Sequence, residues 1–124
     1  MDRIRKLVWV AAAMAAIAAP AHAQDVANFY RGKKITLVIG YGPGGGYDIY
    51  ARMLGRYMGA HIPGHPTIVP QNMPGAGSRS AANWLYRVAP QDGSVIATLG
   101  QATPTDQALS QPGVQFDARK FNWI

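Results

Sequence analysis

The clearest hydrophobic pattern in the chain is Ile35-Thr36-Leu37-Val38-Ile39, a near-continuous apolar run. Such a run, lacking polar alternation, predicts a strand covered on both faces, as in a parallel sheet. Residues 40–46 follow with five glycines and one proline, which predicts a loop. From Asp48 the period lengthens. Ile49, Met53 and Tyr57 form one stripe, with Tyr50, Leu54 and Met58 beside it. This spacing predicts an amphipathic helix that begins near Tyr47 and ends within residues 59–63, with Met53 and Met58 as ordinary helix packing. A second strand starts at Thr67-Ile68-Val69, residues 72–78 form a second Pro/Gly loop, and Ala81, Trp84, Leu85 and Val88 restore the helical spacing. Pro90-Gln91-Asp92-Gly93 has turn chemistry at each position. Residues 94–99 predict a third strand, and the polar stretch 101–115 has room for a short helix. Phe121-Asn122-Trp123-Ile124 looks like a further strand, at which the sequence stops. Trp84, Tyr86 and Trp123 are expected in the core.

Strand, loop and helix, twice over and followed by a strand, predict an α/β fold of βαβ units around a parallel sheet. Both glycine loops then lie at the carboxyl ends of their strands, the edge where open α/β sheets bind ligands.

The N-terminus is read separately. Arg3, Arg5 and Lys6 precede the alanine-rich apolar run 7–19, Pro20 breaks that run, and Ala21-His22-Ala23 is a small-x-small site. The three parts together predict a secretory leader, residues 1–23, and export to the periplasm. The apolar run is far shorter than the ~20 residues of a spanning helix. Removing the leader takes three of the twelve Lys/Arg and one of the six acids, leaving a net charge of +4 on residues 24–124. The basic residues are scattered singly, which excludes a nucleic-acid stripe. The chain has no cysteine, so disulfides, thiolate catalysis and the usual structural zinc sites are excluded.

Gly40-Tyr41-Gly42-Pro43-Gly44-Gly45 matches G-x-G-x-x-G between a strand and a helix. The dinucleotide fingerprint also needs an acid about 20 residues further on. No acid lies between Asp48 and Asp92, and no Lys-Ser/Thr follows the glycines as a Walker A loop requires. His61 and His65 flank Pro63 and Gly64 without a nearby acid or cysteine, and two ligands do not make a metal site. Ser78 and Ser80 lack any His–Asp arrangement. The expectation is therefore a non-enzyme with no metal and no cofactor.

The loops remain suited to an anion. Glycines allow successive amide N–H groups to point inward, and a helix start adds partial positive charge. A hydrogen bond to a charged group contributes about 1.5–3 kcal/mol, so three or four from two loops give roughly 5–10 kcal/mol before the costs of association. Ser78 is expected to cap the second helix.

Residues 35–52, ITLVIGYGPGGGYDIYAR, and residues 71–78, QNMPGAGS, together with APQDG before the third strand, resemble the Bug family of solute-binding receptors. These are the TctC-type receptors of tripartite tricarboxylate transporters. The likeness spans residues 29–124, and the paired motifs PGGGxD and NxPGAG carry it. The resemblance implies one βαβ lobe of a two-lobed, type II-like periplasmic binding protein, with the second lobe missing here. It implies a small carboxylate ligand, integral-membrane permease subunits as partners, no nucleic acid, and a monomer. Related outcomes are an exported sensor for a membrane kinase or, less favoured, an exported hydrolase. Carried over residue by residue, the ligand set is Gly44, Gly45, Gly46 and Asp48 in the first loop, with Gly75, Ala76, Gly77 and Ser78 in the second. Asp48 is expected to brace the loop, since a carboxylate does not attract an anion. Tyr41, Tyr47 and Arg79 depart from the usual pattern; the tyrosines would narrow or re-aim the first loop, and Arg79 is expected either to lie solvated at the helix start, the favoured reading, or to reach a second ligand carboxylate.

Overall fold

Residues 21–124 are described by the computed structural model. Helix α1 (Ala21–Tyr30) leads into β1 (Lys34–Ile39), α2 (Gly46–His61), β2 (Thr67–Asn72), α3 (Arg79–Arg87), β3 (Val95–Thr98) and α4 (Thr103–Ala108). Single 3-10 turns occur at Ala76–Ser78 and Ala118–Lys120. The strands form one sheet in the order β2-β1-β3, and both pairings are parallel. The predicted α/β class and βαβ lobe are what the chain adopts.

The central place of β1 accounts for its composition. Ile35, Leu37, Val38 and Ile39 are all buried, so residues on both faces of the strand are covered. Leu37 lies beside Ile96 on one side and Pro70 on the other. Pro70 is tolerated because β2 is an edge strand. The chain crosses through α2 to β2, then returns past β1 through α3 to β3. With both crossovers right-handed, as almost all are, α2 and α3 fall on opposite faces and the strand order reverses at β1. The carboxyl ends of β1 and β3 thus flank a topological switch point.

Helix α2 turns a different face to the sheet from the one its apolar stripe predicts. Ile49, Met53, Leu54, Tyr50 and Tyr57 are all exposed, the two tyrosines at 70% and 67%. The buried cluster is Leu37, Ile39 and Ala51, with Ile68 and Ile96 packed against it. Small residues decide the contact. A Cβ at Gly55 would sit 3.2 Å from Ile68 Cγ2 and 3.4 Å from Leu37 Cδ2, and one at Gly59 would strike the Pro66 carbonyl. The helix approaches the strands too closely for any larger side chain on that side.

On α3, Ala81 and Ala82 are buried, but Val88 is exposed. Ala82, Phe116 and Ala118 form a second cluster joined by Tyr86, Leu99, Val114 and Phe121. The strand expected at residues 121–124 does not form. Trp123 is 57% exposed rather than core, and its Nε1 donates to the Ala118 carbonyl at 2.8 Å. The predicted leader lies outside the described residues except for Ala21, His22 and Ala23, which open α1. Among the described residues no helix is long and apolar enough to cross a membrane.

Candidate functional site

The carboxyl edge of the sheet collects the loops after β1, β2 and β3. In the first loop Gly44 has φ +83°, and its amide donates to Asp48 Oδ2 at 2.9 Å. Asp48 Oδ1 accepts from Arg52 Nε and from Asn72 Nδ2, each at 2.8 Å. Asn72 also donates to the Tyr41 carbonyl at 2.9 Å and accepts from Arg52 Nη2 at 2.6 Å. One carboxylate therefore fastens the loop, the first two turns of α2 and the last residue of β2. Asp48 is buried, at 4% exposure, and braces the loop as its charge sign required.

The Asn72 hydrogen bond, followed by the Gly44 amide and then Arg52, holds the Asp48 carboxyl below its ordinary 3.8. A lowered folded pKa means stability that is present above pH 3.8 and lost as pH falls through the folded value. Asp48→Asn is accordingly expected to lower stability most at neutral pH. The gap to the wild type should begin to narrow near pH 3.8 and close as pH falls through the lowered folded value, where the carboxyl is protonated in both the folded and the unfolded chain. Urea melts from pH 7 to acid test this, and a gap independent of pH would contradict it.

Helix α2 starts at Gly46 behind Gly45, which offers no capping side chain. The first-turn amides of Gly46, Tyr47 and Asp48 therefore have no intrahelical acceptor. Gly44, Gly45 and Gly46 are all exposed. In the second loop Gly75, Ala76, Gly77 and Ser78 have φ of +146°, +46°, +65° and +79°. Four positive φ values in a row bend the backbone sharply before α3. Ser78 stands at the cap position of α3 but makes no cap bond. This corrects the expected role of its hydroxyl. Its side chain is fully buried, and Oγ accepts from the Gly100 amide at 3.0 Å. The reason is proximity: a Cβ on Gly40 would overlap Ser78 Oγ, so Ser78 fills the space between the ends of β1 and β3. The start of α3, like that of α2, is left without a side-chain cap.

Tyr41 and Tyr47 are stacked, with ring centroids 4.3 Å apart and planes 13° apart. Tyr47 Oη accepts from the Gln101 amide at 3.2 Å. A Cβ at Gly100 would strike Tyr41 Oη and lie 3.1 Å from the Gly77 carbonyl, which brings the Tyr41 hydroxyl and the second loop together over Gly100. Burial, and then the neighbouring Tyr47, push the Tyr41 hydroxyl above its usual pKa. The pair stands at the switch point between β1 and β3.

Arg79 is neither solvated nor turned toward the loops. Nη1 donates to the Pro112 carbonyl at 2.8 Å and Nη2 to Asp106 Oδ2 at 3.2 Å. The guanidinium ties the start of α3 to α4, which removes it as a ready partner for a second ligand carboxylate. Of the predicted residues, the structure gathers Tyr41, Gly44, Gly45, Gly46, Tyr47, Asp48, Gly75, Ala76 and Gly77 along one sheet edge. It turns the Ser78 side chain and the Arg79 head elsewhere. Five further residues shape the edge: Arg52, Asn72, Gly100, Gln101 and Asp106. Asn72 and Gly100 carried a sequence signal, since each directly follows or ends a predicted strand.

No protein-family model matches this chain, and no curated protein matches it. The assignment of a site therefore rests on the geometry of the edge. An apolar cavity of about 440 Å3, lined in part by Leu85, Tyr86, Val95, Leu99, Phe121 and Trp123, lies along the outer side of β3. Neither the glycines at 44–46 nor those at 75 and 77 line it. Among the described residues no group of three or more His, Cys, Asp or Glu is placed to hold a metal.

Proposed function

We propose that the chain is the anion-gripping lobe of an exported receptor that captures a small carboxylate and passes it to membrane permease subunits. One observation supports this above the rest. Two helix starts, α2 and α3, follow the carboxyl ends of adjacent parallel strands, and neither is capped by a side chain. The first-turn amides of α2 are donors without acceptors, while at α3 the Arg79 and Ser80 amides turn back to the Ala76 and Gly75 carbonyls, and both helix dipoles favour negative charge at the same edge. The Asp48 network holds the first loop in place without adding free negative charge, because Arg52 balances it. The motif resemblance and the leader sequence add the periplasmic receptor role.

Hydrogen bonds to a carboxylate worth about 1.5–3 kcal/mol each, set against association costs of at least ~4 kcal/mol, leave this lobe alone with roughly millimolar affinity. An NMR titration with acetate is expected to move the amide resonances of Gly45, Gly46 and Gly75 to Gly77, and to saturate in the millimolar range. Shifts confined to surface lysines and arginines, or no shifts at these glycines, would remove the basis for the reading.

A further inference from the structure

The carboxylate reading leaves the body of the ligand open, and the surroundings of the two loops narrow it. The arginine nearest the loop on each loop-bearing helix is neutralised: Arg52 by Asp48 at 2.8 Å and Arg79 by Asp106 at 3.2 Å, while Arg56 and Arg87 lie further along their helices. A second or third carboxylate on the ligand would meet no uncommitted cation from either helix start. It would have to be desolvated against backbone alone, which is costly for a charge.

The wall that does stand beside the first loop is aromatic. Tyr47 occupies the first turn of α2, so its ring adjoins the free amides of that turn. Its stack with Tyr41 is close to parallel and half-buried. Parallel stacking leaves an outer π-face on each ring. The Tyr47 hydroxyl is held by the Gln101 amide, and the Tyr41 hydroxyl is crowded against Gly100, so the pair presents ring faces more than polar tips.

Resting on the receptor reading, we infer that the ligand is a monocarboxylate with a flat aromatic body, whose ring packs on the Tyr41–Tyr47 plate while its carboxylate meets the loop amides. Polycarboxylates are disfavoured by the same neutralised arginines. The tyrosines act as specificity determinants: they select the body of the ligand and leave the grip on the carboxylate to the backbone.

The test is a set of NMR titrations of the protein with acetate, benzoate, succinate and citrate. Benzoate is expected to bind about 3–10-fold more tightly than acetate, the range one aromatic contact supplies, and to shift the ring protons of Tyr41 and Tyr47. Tyr47→Ser should abolish that advantage, so that benzoate and acetate bind this variant with equal affinity. Tyr47→Phe, which keeps the ring and loses only the Gln101 bond, should retain it. Citrate or succinate binding more tightly than benzoate would overturn the inference and leave the receptor reading standing. So would Tyr47→Ser weakening acetate and benzoate equally. Failure of all four anions to shift the loop glycines would overturn the receptor reading itself, and this inference with it.

Discussion

Gly40→Ala is expected to destabilise the protein by about 3 kcal/mol, the upper end of what overpacking a filled core costs. For a domain of this size that corresponds to a fall in Tm of roughly 10–20 °C. The new methyl would overlap Ser78 Oγ and lie 2.8 Å from Ser78 Cβ, both fully buried. Neither side can give way easily. Gly40 sits at the end of the central strand with its amide bonded to the Thr98 carbonyl at 3.0 Å, and Ser78 is held by Gly100. Ser78→Gly should rescue the variant, since it removes the obstructing atoms and relaxes a non-glycine residue at φ +79°. A double-mutant cycle by chemical denaturation should return a favourable coupling of about 1–3 kcal/mol. A Gly40→Ala variant as stable as the wild type would show that the ends of β1 and β3 are not packed through Ser78.

The second large effect falls on the proposed grip. Gly75 has φ +146°, a region essentially closed to β-branched residues, and a Cβ there would lie 3.0 Å from Ser80 Cβ. Gly75→Val must therefore rebuild the turn that sets the amides of Ala76 and Gly77. Losing even one hydrogen bond to a charged group weakens binding by about tenfold or more. Arg79→Ala should change carboxylate affinity by less than about threefold, because its guanidinium is bound to Asp106 and Pro112. Acetate titrations of the two variants, each checked for folding by circular dichroism, give the ranking. The reverse order would mean that side-chain charge, and not backbone, holds the anion.

Much of the edge is legible in the order of residues alone. The apolar run at residues 35–39 is short, rich in β-branched residues and bounded by a glycine loop, which favours a covered strand. The glycine-rich stretches after β1 and β2 mark strand-to-helix turns, and the bracing role expected of Asp48 is the one its bonds to Gly44, Arg52 and Asn72 give it. Other features are hidden because the signals are ambiguous or the partners distant. The side chain of Ser78 has a local use as a cap and a remote one at Gly100, 22 residues away, and spacing alone cannot rank them. Arg79 is similar: its charge suggests a ligand, but Asp106, 27 residues on, is nearer.

Local periodicity alone determined the order of elements, the parallel sheet and the placing of both glycine loops at one edge. These follow from backbone propensity and chain chirality, which act over a few residues at a time. Tertiary contact decided which face of α2 is buried. The sequence offers two stripes there, a large apolar one through Ile49, Met53 and Tyr57 and a small one through Ala51, Gly55 and Gly59. Hydrophobicity favours the first, yet the sheet takes the second, because the helix lies so near Leu37, Pro66 and Ile68 that only small side chains fit between. Close packing is a property of two surfaces together, so no single stretch of sequence encodes it.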